Sequence, residues 1–311
     1  MATGQTSVTR TLTVGGRTRS YVIYFPKDYN PNPTVLTIRQ AGQTRTVTLP
    51  AKKYPVVFAF HGGMSNATGQ AYMSQMAASA DKYGYVIVYG NGTAASGTTY
   101  TWNALTCCGY ALLNRVDDMA YFDAVLRELP SYVNIDPLKV YAVGFSNGAE
   151  FVNVLGARRG DKLAAIATVA GEVGLLGLST VRRMPTMIIH GLLDGHIPYD
   201  GGVGPDALFP VSHNSIPESV NYWVTKNNCS ATPTTVTTSN YVKKSYTHVS
   251  GSPANLVIHY ELPNGGHTWP GGRLPVAGGE ILNLGPLVSS FPASDLILGF
   301  FQLWIRNLAT T

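Results

Sequence analysis

The sequence predicts an α/β fold, with a mostly parallel central sheet flanked by helices and an antiparallel hairpin at its N-terminus. Three observations predict it. Apolar runs such as Val56-Val57-Phe58-Ala59-Phe60 and Tyr85 to Tyr89 lack the alternation of a half-exposed strand, which is how strands covered on both faces read. The run Val140 to Phe145 leads straight into Gly144-Phe145-Ser146-Asn147-Gly148, followed by helical spacing from Ala149 to Arg159. Strand, G-x-S-x-G turn and helix in that order form a nucleophile elbow, in which small residues let strand and helix close around a serine held on a strained turn. Finally, two alternating runs between Ser7 and Pro26 surround Gly15-Gly16, a hairpin signal.

Length and composition bound the rest. A chain of 311 residues that is 45% hydrophobic can bury a full core, and we expect one catalytic domain over residues 1–311. A second alternating pair, Val35 to Ile38 and Thr46 to Leu49 around Ala41-Gly42, reads as a hairpin inserted at 34–50. The net charge of +5 is scattered, without a basic run or a basic face interleaved with aromatics, so nucleic acid is not an expected partner. No stretch reaches the 18 or more apolar residues of a membrane span. A charged fraction of only 13% leans towards an exported protein; no signal peptide is present, and Met1-Ala2 reads as an expression start joined to a mature sequence. Cys107, Cys108 and Cys229 leave at least one thiol unpaired if all bridges are internal: the adjacent pair could bridge, or one of them could reach Cys229. No C-x-x-C or Cys/His ligand spacing suggests zinc, and neither metal nor cofactor is expected.

Taken in order, the chain places chemistry at strand ends. His61-Gly62-Gly63 follows the first buried strand, and a glycine-rich turn there can present an N–H to an oxyanion. The N–H groups of Gly63 and Asn147 are the candidates, while His61 reads as a structural tie. Helical spacing over Gln70 to Tyr83 stops at Gly84. The long segment Gly90 to Arg115, which carries Trp102, Asn103 and two cysteines, reads as a cleft wall. Asp117 and Asp118 suit the N-terminus of a helix from Met119 to Leu129 as capping residues. Strands are expected at Leu163 to Ala170, at Pro185 to Gly191 and at Leu256 to Tyr260, with further strand over Thr235 to Val249. Ser215-Ile216-Pro217-Glu218 is a capping box for a helix to about Lys226. Ala293 to Leu308 reads as a closing amphipathic helix with Leu296, Phe300, Leu303 and Trp304 inward.

In an α/β-hydrolase the nucleophile, acid and base follow in that chain order. Asp194, just past the strand that ends at His190-Gly191, fits the acid; Glu172 comes too early, Asp200 and Asp206 too late. His267, in a glycine-flanked loop after the final strand, fits the base, with His196 its only rival. Phe60-His61-Gly62-Gly63, Gly144 to Gly148, His190-Gly191 with Asp194, Pro198 to Gly202 and above all Gly265-Gly266-His267-Thr268-Trp269-Pro270-Gly271 resemble the polyhydroxybutyrate depolymerase and feruloyl esterase family of secreted serine esterases. Trp102-Asn103, Val116-Asp117-Asp118, Ile216 to Val220 with Trp223, and Asn227-Asn228-Cys229 add to the match, which runs from about Arg10 over nearly the whole chain.

The resemblance implies catalytic Ser146, Asp194 and His267, no cofactor, and an ester substrate of a hydroxy or aromatic acid, either a phenolic ester on plant polysaccharide or a polyester. Trp269 would line the cleft beside the catalytic histidine, and Trp102 suits stacking on an aromatic acid. The family's cysteine partner for Cys229 is missing, since the expected region reads Ser250-Gly251-Ser252-Pro253. An acyltransferase of the same fold, or a binding protein that kept the fold, are the alternatives; an intact serine, aspartate and histidine in the right order argues against the latter. The oligomeric state is open.

Overall fold

The computed structural model describes residues 6–40, 43–250, 255–275 and 283–306. Ala41 and Gly42, Gly251 to Pro253, and Leu308 lie outside the described residues.

Strands β1 (Ser7–Val14) and β2 (Arg17–Tyr24) form the predicted hairpin, Val14 pairing with Arg17 across Gly15 and Gly16. Both glycines have positive φ (55° and 74°), which a two-residue turn matched to strand twist requires. β3 (Thr34–Gln40) and β4 (Gln43–Leu49) pair only with each other, in a separate two-stranded sheet. β5 (Tyr54–Phe60) then enters the main sheet. It is followed by α1 (Ala67–Ser74), α2 (Met76–Tyr83), β6 (Val86–Gly90), α3 (Gly109–Leu113), α4 (Asp118–Glu128), β7 (Ile135–Phe145), α5 (Asn147–Arg158), β8 (Ala165–Val169) and β9 (Thr186–Gly191). The rest is α6 (Ile216–Lys226), β10 (Thr234–Thr237), β11 (Val242–Thr247), β12 (Asn255–Leu262) and α7 (Ala293–Phe301).

The ten-stranded sheet runs β1-β2-β6-β5-β7-β8-β9-β12-β11-β10. Its middle, from β6 to β12, is parallel, and the antiparallel pairs sit at the two edges. Both faces are covered, so β5 divides its side chains: Val56, Phe58 and Phe60 pack with Phe122 of α4, Phe151 of α5 and Trp223 of α6, while Val57 and Ala59 pack with Met76 of α2 and Ile297 of α7. This two-sided burial is why the sequence shows unbroken apolar runs. Phe60, Gly144, Thr168, Ile188 and His259 pair in one row across five strands. The loops that follow these strands therefore leave the sheet along one edge, where open parallel sheets bind ligands.

Three local readings need correction. The helix expected over Gln70 to Tyr83 is two helices, because Gln75 adopts φ 50° and serves as C-cap of α1 and N-cap of α2. The closing helix ends at Phe301, and Leu303 is 73% exposed rather than inward. Past it, the chain turns so that Arg306 N–H donates to Leu138 O and Arg306 Nη1 to Asp161 O.

Asp117 caps α4 as expected, accepting from Ala120 N–H at 2.8 Å, but Asp118 does different work. Its carboxylate accepts from Arg19 Nη2 at 2.6 Å and from Asn103 N–H at 2.8 Å, in a fully buried ion pair that ties β2 to α4 and to the 90–115 segment. Burial pushes the Asp118 carboxyl upward against the opposing pull of Arg19, so this pair is a constraint of position rather than a large net source of stability. Removing one partner strands the other charge. Asp118→Ala is expected to cost about 3–5 kcal/mol in urea unfolding, with Arg19→Met plus Asp118→Leu costing much less.

Candidate active site

Ser146 stands between β7 and α5 with φ 54° and ψ −127°, a left-handed backbone that a non-glycine residue holds only when its surroundings impose it. Its N–H is tied to Val169 O of β8 at 3.0 Å. The flanking glycines are steric necessities: a Cβ on Gly144 would collide with the backbone of Gly148, and one on Gly148 with the carbonyls of Phe60 and His61. Gly62 is equally constrained, since a Cβ there would stand 2.8 Å from the Phe145 ring and 3.2 Å from Ser146 Cβ.

His267 Nε2 lies 2.8 Å from Ser146 Oγ, and its Nδ1 lies 2.8 Å from Asp194 Oδ2. Nδ1–H donates to the carboxylate, leaving Nε2 to accept from the serine hydroxyl. The other Asp194 oxygen accepts the N–H groups of His196 and Ile197, each at 2.9 Å. Burial drives the Asp194 carboxyl upward, but His267, His190 and the Ile197 N–H outweigh it and hold it below the usual carboxylate range. Both residues are buried (5% and 4% exposed), so these charges act in a medium that screens them weakly. His196 stacks on the His267 ring, with centroids 4.6 Å apart, and donates its backbone N–H to the acid.

Asn147 is the first residue of α5, where helix geometry leaves the N–H without an intrahelical partner. Its side chain grips the backbone of Trp102 twice, accepting from Trp102 N–H at 2.7 Å and donating to Trp102 O at 3.0 Å. A Cβ on Gly63 would lie 3.7 Å from Asn147 Cβ, so the two candidate oxyanion donors come from adjoining loops. His61 is a tie: Gly92 N–H donates to Nε2 at 3.0 Å, which puts the ring proton on Nδ1, donating to Gly62 O at 2.7 Å. Burial lowers its pKa to about 4.

Beside Ser146 opens a cleft of about 760 Å³. Trp102 and Trp269 do not line it. Both indoles are 0% exposed: Trp102 stacks flat on Phe151 and donates Nε1–H to His61 O, and Trp269 donates to Ser294 Oγ beside α7. An indole beside a loop glycine can bury its whole face in the core once its one N–H finds a carbonyl or hydroxyl, and both have done so. The aromatic lining comes instead from Tyr72, Tyr100, Phe145 and Phe209. The 90–115 segment does wall the cleft, through Thr98, Thr99, Tyr100 and the bridged pair Cys107–Cys108, while Cys229 stays free and buried elsewhere. Phe209 went unread in the sequence because it sits in a connection without periodicity, and His213, in the same connection, reads from the sequence only as a histidine in a polar connection and not as part of the cleft. Among the described residues, no helix is long and apolar enough to cross a membrane.

No family model matches the chain. Among curated proteins it is 27% identical over 192 residues to feruloyl esterase B of Piromyces equi, covering 58% of this chain and 34% of that one. A protein bearing the esterase name NocK, from Nocardia uniformis subsp. tsuyamanensis, is 25% identical over 289 residues, covering 87% and 76%. An acetylxylan esterase of Coprinopsis cinerea is 26% identical over 222 residues, covering 65% and 57%. The chain is thus similar in sequence to feruloyl and acetylxylan esterases. It spans about a third of the length of the first of them. Among solved structures, an acetyl xylan esterase from Aspergillus awamori superimposes with a TM-score of 0.55 at 16% identity, covering 94% of this chain and 99% of that one. A ferulic acid esterase from Anaeromyces mucronatus gives 0.51 at 15%, covering 94% of each. At that identity the likeness speaks for the fold, which is the α/β-hydrolase fold.

The buried histidines set an acid limit. His61 and His259 both fall from 6.5 to about 4 through burial, and burial lowers His190 as well. Each is neutral in the fold and takes up a proton on unfolding at mildly acid pH. The contribution of His61 and His259 is whole above pH 6.5, where the unfolded imidazole is also neutral, and is lost as pH falls towards 4; that of His190 has the same sign. Unfolding free energy measured by urea titration is expected to drop through this window by about 1.4 kcal/mol per pH unit for each proton taken up.

Proposed function

We propose that the protein is a serine esterase that hydrolyses carboxylic esters through an acyl-enzyme, with Ser146 as nucleophile, His267 as general base and acid, and Asp194 as the group that orients it. The observation that carries this reading is the hydrogen-bonded series Asp194–His267–Ser146, with 2.8 Å at each link, whose Ser146 and His267 line the cleft. His267 takes the Ser146 proton as Oγ attacks the ester carbonyl, then delivers it to the leaving alkoxide; water repeats the cycle on the acyl group. The ionised Asp194 holds the Nδ1–H tautomer and stabilises the imidazolium that forms, without taking the proton itself. The N–H groups of Gly63 and Asn147 receive the oxyanion. Preorganised donors of this kind are worth about 10²–10³ in rate each.

We read the acyl group as a hydroxycinnamate of the ferulate type, carried on plant polysaccharide. Tyr72, Tyr100, Phe145 and Phe209 along the cleft suit an aromatic acid, and a volume of about 760 Å³ is far larger than an acetyl group needs. Feruloyl esterase B is among the relatives. A polymeric substrate and a paired Cys107–Cys108 both suit work outside the cell. The chain reads as one catalytic unit, with the β3–β4 hairpin, which pairs with no strand of the main sheet, as an insertion.

The test is hydrolysis of methyl ferulate beside a 3-hydroxybutyrate oligomer, with Ser146→Ala as blank. Wild type is expected to cleave the ferulate faster, and Ser146→Ala to lose at least about a thousandfold. Faster cleavage of the oligomer would move the substrate to the aliphatic polyesters, and an active Ser146→Ala would remove the nucleophile assignment. Asp194→Asn should keep the geometry but favour the wrong tautomer, lowering kcat about 10⁴-fold with little change in KM.

A further inference from the structure

Along the cleft from Ser146 stands a second polar cluster that the proposed reaction does not use. Glu150 projects from the first turn of α5, Glu172 follows β8, and His213 precedes α6. All three are buried. His213 Nδ1 lies 3.1 Å from Glu172 Oε1 and 3.4 Å from Glu150 Oε1, and one ligand-type atom from each residue lies within 4.8 Å of the other two. An imidazole nitrogen has one proton to give. Directed at Glu172, it leaves Glu150 Oε1 without a hydrogen bond, and Glu172 Oε2 has none either among the described residues. The remaining Glu150 oxygen accepts from Asn147 Nδ2 at 3.4 Å, which turns Oε1 towards the centre of the cluster. Two buried carboxylates facing one imidazole, with an oxygen of each left without a hydrogen bond, favour a further cation among them.

We propose that Glu150, Glu172 and His213 form a binding site for a divalent cation of the zinc class. Around an ion bound tetrahedrally at about 2.0–2.1 Å, neighbouring ligand atoms stand about 3.3 Å apart, and the two distances from His213 Nδ1 fall on either side of that value. Imidazole nitrogen with two carboxylate oxygens is a donor set such ions accept. Three protein ligands leave a fourth position, and because Glu150 and His213 line the cleft it opens towards substrate. Cys108 Sγ lies 3.8 Å from Glu150 Oε2, but a sulfur in a disulfide offers no thiolate. The site shares no residue with the Asp194–His267–Ser146 series and does not depend on its role.

Calorimetric titration of ZnCl₂ into the whole chain, stripped with a chelator, tests this. One equivalent is expected to bind. Glu172→Gln and His213→Gln should each weaken it at least about tenfold, while His267→Ala should bind as wild type does, which separates the cluster from the imidazole beside Ser146. Circular dichroism shows whether each variant is folded, and a zinc-edge anomalous map of soaked wild-type crystals reads the site without any variant, with a peak expected among the three side chains. Absence of saturable binding, undiminished binding by Glu172→Gln, loss of binding only in His267→Ala, or an anomalous peak elsewhere overturns the proposal.

Discussion

Everything at the site depends on the backbone of Ser146 being held at φ 54° between a strand and a helix. That conformation is unfavourable by itself, by about 1–3 kcal/mol, and persists because the surroundings leave the turn nowhere else to go. Gly144 and Gly148 press backbone against backbone, Gly62 admits the Phe145 ring, and the serine N–H is anchored on β8. The same turn sets the direction of α5. Its first N–H and its first-turn Glu150 are consequences of where the elbow points.

Around this turn, the molecule keeps charges where neighbours can hold them. Asp194 tolerates burial because an imidazole and two backbone N–H groups face it. Asp118 tolerates it because Arg19 and Asn103 do. His61 is kept neutral and bridges two loops as donor and acceptor at once. Glu150 and Glu172 differ from all of these, since their shared partner His213 satisfies only one of them. A low effective dielectric makes satisfied networks rigid and leaves unsatisfied ones with a demand for ligand or proton.

The strands were legible because both faces of the sheet are covered, which writes burial into the sequence as unbroken apolar runs at Val56 to Phe60 and Val140 to Phe145. The capping box at Ser215 and Glu218, the Gly15-Gly16 turn and the Asp117 cap were legible because each is a local bargain between neighbours in the chain. Gln75 was not, because a left-handed glutamine has no sequence signal. Asp118 was misread for a related reason: its partner, Arg19, is 99 residues away.

The sequence by itself determined the order in which chemistry appears, a serine on an elbow, then an aspartate, then a histidine, each after a buried strand, because strand ends and glycine turns are short-range features. Only the tertiary structure decided which side chains face the cleft. Trp102 and Trp269 turned into the core, since their large apolar faces gain more from burial than from solvent, and Phe209 came to the cleft from a connection without pattern. It also brought Glu150, Glu172 and His213 together from three separate elements. Spacing along the chain carries no trace of that meeting, because it is the crossing of strands in a parallel sheet, and not proximity in sequence, that makes them neighbours.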